Sequence, residues 1–257
     1  MFISFLATRC AQIIGTALAA LTLVVLPPAG NSQAEEGMFG KAQTEAIEGI
    51  VRAYLLAHPE IVGEAVAKLQ AQEEAAREAA IRVNLNKIRA DVEQDSKTPV
   101  LGNPAGDVTI TEFHDYRCGY CKLVYQTLMK VVKEDGHIRL VLKDLPILGP
   151  DSYASARAAL AAHAQGRYAM FLDEGMKHRS PFNAEALEII AQRIGLDVAQ
   201  FRKDLESAEI DQQLEKNRNL AQVLDISGTP VFIIGDVMMP GAINEKQLIE
   251  LVARARH

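Results

Sequence analysis

Val108-Thr-Ile-Thr-Glu-Phe-His-Asp-Tyr-Arg-Cys-Gly-Tyr-Cys121 decides the fold. Its first half is rich in β-branched and aromatic residues and reads as a strand. Past Cys121 the apolar period changes. Leu123, Val124, Leu128, Val131 and Val132 fall at helical spacing, so Cys121 lies in the first turn of a helix. A helix N-terminus carries partial positive charge and unpaired N–H groups. A thiolate at Cys118 is stabilised there, which makes Cys118 the candidate nucleophile and Cys121 the thiol that resolves its mixed disulfide. Gly119 and Tyr120, between them, tune the reduced pair and face the substrate. A Cys-x-x-Cys is also half of a zinc site, but no further Cys follows and no two His stand at ligand spacing. The reading calls for no cofactor and no metal. It requires the Cys118 sulfur to be open and close to Pro230.

Working outward, the 257 residues carry 27 Lys and Arg against 33 Asp and Glu, a net charge of −6. This mild acidity argues against a nucleic-acid surface. Residues 1–34 read as an export signal. They comprise Arg9, an apolar run from Ala11 to Leu26, Pro27-Pro28, and small residues up to a cleavage site after about Ala34. An uncleaved anchor is the alternative. Cleavage removes Cys10 and leaves one close Cys pair, kept for redox work in an oxidising compartment.

Residues 35–97 read as helix, broken at His58-Pro59. Ile47, Ile50, Val51, Tyr54 and Leu55 form an amphipathic stretch, and Val62, Val66 and Leu69 continue the spacing. A helix from about 60 to 95 outruns one small domain, so self-association or a solvated stalk are its outlets. Pro99, Gly102, Pro104 and Gly106 mark 96–107 as a hinge. The catalytic domain, 98–257, then runs strand, Cys-x-x-Cys helix and a parallel strand over 138–142. A loop follows over 143–150, then a helical insertion at about 151–226 holding three to five helices. Thr229-Pro230 precedes an apolar strand, a hairpin at Gly235-Asp236, and a last helix capped by Asn244.

This order resembles the thioredoxin superfamily with a helical insertion, the layout of the periplasmic Dsb-type oxidoreductases. Glu112-Phe113 looks like the family's Glu-Phe, and Cys118-Gly-Tyr-Cys121 is similar to the active site of DsbC-type isomerases. Thr229-Pro230 resembles the family's cis-proline loop. With a helical region in front, the whole is closest to the ScsC group. The resemblance implies a fold and a set of roles. The fold is α/β and thioredoxin-like, behind an N-terminal oligomerisation region, with a trimer as the expected assembly. Cys118 and Cys121 are catalytic, with Glu112 passing a proton to or from Cys121. Gly119, Tyr120, Thr229 and Pro230 bind substrate. The implied partners are disulfide-containing clients and a membrane thiol reductase in the periplasm. A DsbA-like oxidase and a copper-binding protein, with the two cysteines as ligands, are the alternatives. His114 either supports the thiolate as imidazolium or simply ends its strand. Met176, Met238 and Met239 are soft copper ligands or gap-fillers.

Overall fold

The computed structural model describes residues 39–256, so the expected export signal lies outside the described residues. The chain divides into two compact units, one ending at Ala65 and one spanning Val66–His257. Within the first, α1 runs Lys41–Ala57 and buries no residue. Ile47, Ile50, Val51 and Tyr54 along it are exposed. His58 ends α1, as expected of a residue before proline. α2 follows over Glu60–Glu93 and continues into the second unit, where Leu85 and Val92 are its buried residues.

The second unit is built on one five-stranded sheet in the order β1 (Val100–Gly102), β3 (Ile138–Asp144), β2 (Val108–His114), β4 (Val231–Ile234), β5 (Val237–Pro240). β2 (Val108–His114) leads into α3 (Gly119–Asp135), which returns to β3 (Ile138–Asp144), parallel to β2 with Val108 opposite Ile138 and His114 opposite Asp144. Gly136 closes α3 in the left-handed region, φ 70°. α3 buries Cys121, Val124, Tyr125, Leu128, Val131 and Val132, each large apolar side chain contributing about 1.5–3 kcal/mol. β4 (Val231–Ile234) pairs antiparallel with β2 and, across the Gly235-Asp236 turn, with β5 (Val237–Pro240). α9 (Glu245–Ala255) ends the chain behind a capping box of Asn244 and Gln247.

Five helices lie between β3 and β4: α4 (Pro150–Ala164), α5 (Tyr168–Lys177), α6 (Ala184–Arg193), α7 (Val198–Asp204) and α8 (Ala208–Val223). Ala156, Ala158, Ala159, Ala161 and Ala162 of α4 are buried, small enough for neighbouring helices to approach closely. The fold is thus α/β with a helical insertion.

Two expectations need correction. Residues 96–107 are not a bare hinge. They contain β1 (Val100–Gly102), antiparallel to β3 with Val100 opposite Val141. Three residues behind a proline give no period to read, and the pairing supplies what the local sequence lacks. The loop after β3 also begins later than residue 143. Lys143 and Asp144 are strand residues and buried, Lys143 donating to the Asp91 carbonyl (3.0 Å) and the Thr98 hydroxyl (2.8 Å). Partners some fifty residues away make a buried lysine tolerable.

Candidate functional site

Cys118 is the N-cap of α3 and Cys121 lies in its first turn. The Cys118 amide donates to the Asp115 carbonyl at 3.1 Å, and the Cys118 carbonyl accepts from Lys122. Both cysteines are free thiols. The Thr229–Pro230 bond is cis, and the Cys118 thiol donates to the Thr229 carbonyl oxygen at 3.1 Å. The sulfur therefore sits against the Pro230 loop, as the exchange reading requires. It is less open than that reading asks, since Cys118 is only 7 % exposed. The Thr229 hydroxyl is buried and makes no hydrogen bond.

The two sulfurs sit in opposite electrostatic settings. The Cys121 thiol, the Thr229 side chain and the backbone N–H groups of Cys121 and Tyr120 support the Cys118 thiolate. Together they outweigh desolvation and bring its pKa down to about 5. Cys121 is fully buried, and its pKa lies far above the ordinary thiol value. Its hydrogen bond to Cys118 is the largest cause, followed by burial and the charge of Glu112. One thiol is ready to attack, and the other needs a base.

Glu112 is the carboxylate whose charge acts on Cys121. It lies on β2 opposite Leu142 and Phe232, is 3 % exposed, and is pushed up to about 7. Burial is the main cause; His114 opposes it, while Cys118 and Asp144 add to it. Tyr120 is 63 % exposed beside the thiols, and Gly119 has open space around it.

A scan against family models matches residues 94–254 to the family described as thioredoxin. The chain belongs to the thioredoxin family. Within it, this is a Dsb-type protein close to ScsC, and residues 43–76 match the model described as the copper resistance protein ScsC N-terminal domain. A thioredoxin-like oxidoreductase from Silicibacter pomeroyi is 40 % identical with a TM-score of 0.63, covering 65 % of this chain and 97 % of that one. A probable disulfide bond formation protein D from Bacillus cereus is 29 % identical over 164 residues, 58 % of this chain and 76 % of that protein. A linker-deletion mutant of Proteus mirabilis ScsC, 23 % identical, shares the fold over 85 % of this chain and 97 % of its own, with a TM-score of 0.65.

The thioredoxin-family site brings together Glu112, Cys118, Cys121, Thr229 and Pro230, and leaves other candidates elsewhere. Met176 is a core residue, while Met238 and Met239 pack against the two apolar clusters of the core. Among the described residues, no three His, Cys, Asp or Glu side chains are grouped to hold a metal ion. His114 is fully buried, with Nε2 3.3 Å from Asp144 Oδ1.

Sequence reasoning missed Asp115. One oxygen accepts from the Arg117 amide (2.7 Å) and the Ser152 hydroxyl (2.8 Å), the other from the Ile147 and Leu148 amides (2.9 and 3.2 Å). This carboxylate fixes the approach to Cys118. An Asp two residues before the amide it accepts from is an Asx-turn pattern, a signal present in Asp115-Tyr-Arg117.

Proposed function

We propose that the protein is an exported thiol–disulfide oxidoreductase acting as a protein disulfide isomerase through Cys118-Gly-Tyr-Cys121. The observation that carries this reading is the Cys118 sulfur at a helix N-terminus, 3.1 Å from the Thr229 carbonyl oxygen. Backbone beside an active sulfur offers an extended client segment main-chain hydrogen bonds. The Cys118 thiolate attacks one sulfur of a client disulfide. A Cys118–client disulfide forms and the other client sulfur leaves as thiolate, taking a proton from solvent.

Two exits follow. In isomerisation, a second client thiolate attacks the mixed disulfide and Cys118 leaves as thiolate, the client's sulfurs being re-paired with no net electron transfer. In the escape route, Cys121 attacks Cys118 while its proton passes to the Glu112 carboxylate. A Cys118–Cys121 disulfide forms and the client leaves reduced. A thiolate held at about 5 favours the reduced pair, the form isomerisation uses. Return from the oxidised form needs electrons from a membrane thiol reductase.

Residues 35–97 are proposed as the oligomerisation region, with a trimer as the assembly. The exposed Ile47, Ile50, Val51, Tyr54, Val62, Val66 and Leu69 support it. Such a row of apolar side chains on helices is what a coiled-coil-like seam covers. Residues 98–257 are proposed as the catalytic domain.

The test uses the full chain. Reduced protein should restore activity to scrambled ribonuclease faster than glutathione alone, and Cys118→Ser should abolish the gain. Ile50→Asp with Tyr54→Asp should dissociate the assembly in analytical ultracentrifugation and lower isomerase activity while leaving Cys118 reactive. No gain with scrambled ribonuclease, together with rapid oxidation of dithiol peptides by the oxidised protein, would replace isomerase by oxidase. Stoichiometric Cu(I) binding lost in Cys121→Ser, without exchange activity, would replace it by copper binding.

A further inference from the structure

We infer that the buried His114–Asp144 pair is a positioning element that sets the charge state of Glu112 and, through it, the rate at which Cys121 resolves a mixed disulfide. The inference rests on the roles proposed for Cys118, Cys121 and Glu112.

Glu112 and His114 are two residues apart on β2, so their side chains share the face that packs against α3, about 6.6 Å apart along the strand. Both are buried. Directly across the parallel pairing from His114 is Asp144, which is 1 % exposed and has Oδ1 3.3 Å from His114 Nε2. His114 Nδ1, His114 Nε2 and Asp144 Oδ1 make no hydrogen bond, so the contact between the two side chains is an ion pair. Two acidic residues and one imidazole thus share a closed site, and the imidazole is the cation among them.

The surroundings hold this pair in place. Tyr168 on α5 donates to Asp144 Oδ2 at 3.0 Å, and Asn217 on α8 donates to the Asp144 carbonyl at 3.0 Å. Tyr116 sets its ring edge-on to His114 at 5.2 Å, and its hydroxyl lies 3.5 Å from that of Tyr168. Gly175 of α5 lies against the Tyr116 ring, where a Cβ would come within 2.7 Å. His163 on α4 stands edge-to-face with the Tyr168 ring, centroids 5.9 Å apart. Asp115, next in the chain, gives its carboxylate to amides and Ser152.

The direction of each influence agrees with this geometry. Burial alone would discharge His114, but Asp144 and, further off, Glu112 and Asp115 outweigh it and hold the imidazole above its usual value. His114 in turn opposes the burial that raises Glu112, while Asp144 adds to it. Cys121, Thr229 and backbone N–H groups support the Cys118 thiolate, so the effect of His114 is on the base and not on the nucleophile.

With His114 charged, Asp144 is compensated and Glu112 ionises near neutrality. An apolar residue at 114 would leave the Asp144 charge facing Glu112 unopposed. Two charges about 7 Å apart at an effective dielectric of about 20 shift a titration by roughly one to two pH units.

The experiment follows the resolution step in the full-length protein. Cys118 is loaded as a mixed disulfide with glutathione, and glutathione release is recorded from pH 5 to 9. Cys118 alkylation is measured alongside. His114→Phe keeps an aromatic edge against Tyr116. It should move the midpoint for release upward by about one pH unit and slow release at pH 7 by about fivefold, leaving the alkylation midpoint where it was. Adding Asp144→Asn should bring the release midpoint back to within a few tenths of wild type. A purely structural role would make the double variant worse. An unshifted midpoint in His114→Phe, or a double variant displaced as far as the single, overturns the inference.

Should the variants not fold, wild-type protein decides by NMR of the His114 ring nitrogens and the Glu112 carboxyl. A charged imidazole throughout the Glu112 titration supports the inference, and a neutral one overturns it. Failure of the isomerase assay leaves this outcome intact, because resolution by Cys121 belongs equally to an oxidase.

Discussion

The acidity of Cys118 gives the sharpest test of the site. At a pKa of about 5 the sulfur is about 99 % thiolate at pH 7, against a few per cent for an ordinary thiol. That gain does not appear as raw speed. Nucleophilicity falls with thiol pKa with a Brønsted slope of about 0.4–0.5, so four units of acidity cost about 40- to 100-fold in intrinsic reactivity and nearly cancel the extra thiolate. The diagnostic quantity is therefore the midpoint of the pH profile.

Iodoacetamide alkylation of reduced protein from pH 3.5 to 9, read by mass, should show half-maximal rate at about pH 5. The 7 % exposure of Cys118 lowers the whole curve without moving its midpoint. Thr229→Val removes the buried hydroxyl that supports the thiolate and keeps the side-chain shape. The midpoint should rise by about one unit, a typical worth for one hydrogen bond to a charged form. Cys121→Ala removes the largest support and should raise it further. A wild-type midpoint near 8.5, or no difference between wild type and Thr229→Val, would refute the electrostatic reading of the site. Absence of any reaction in the folded protein would show that the Thr229 loop closes the sulfur off.

Other outcomes follow from the same geometry. Glu112 is raised from 4.5 to about 7 by burial, so its contribution to stability is lost as pH rises from 4.5 through 7. Glu112→Gln should therefore be the more stable protein at pH 8, by up to about 3 kcal/mol, and gain nothing at pH 4, as measured by urea unfolding of the oxidised form. Asp115→Asn places an NH2 group against two of the donors that the carboxylate now serves. It should cost about 2–3 kcal/mol by thermal unfolding and slow alkylation of Cys118 relative to Cys118 in an unfolded control. Gly102 has φ 70°, and a Cβ there would stand 2.5 Å from the Ile138 carbonyl oxygen. Gly102→Ala should lower stability by about 2 kcal/mol or more and detach β1, seen as faster exchange of the Leu142 amide, which donates to the Pro99 carbonyl at 3.0 Å.

What the sequence disclosed depended on how local the cause was. The β2–α3 junction was legible because one period gives way to another within a few residues, and Gly136 marks where the helix must stop. The insertion was legible as three to five helices, because Gly166, Pro181, Gly195 and Asp197 interrupt it; the structure settles the number at five, three of them starting at caps Asn183, Asp197 and Ser207. β1 was not, because its identity comes from β3 across the sheet. Lys143 read as loop because lysine is usually solvated, and its acceptors come from the end of α2 and residue 98. The cis geometry before Pro230 has no local signature and came only through family resemblance. The His114–Asp144 contact joins strands thirty residues apart, so the sequence left the role of His114 open.

Asp115 carries a consequence for how such proteins diversify. Its carboxylate joins the turn before Cys118 to the Ile147–Leu148 segment and to Ser152 on α4. The helical insertion is thereby keyed to the catalytic turn through a lock with matched parts on both sides. A chimera that imports another relative's insertion must bring a hydroxyl at the Ser152 position and two free amides at 147 and 148. An insertion lacking them would fold as a passenger, leaving the cysteine turn slack.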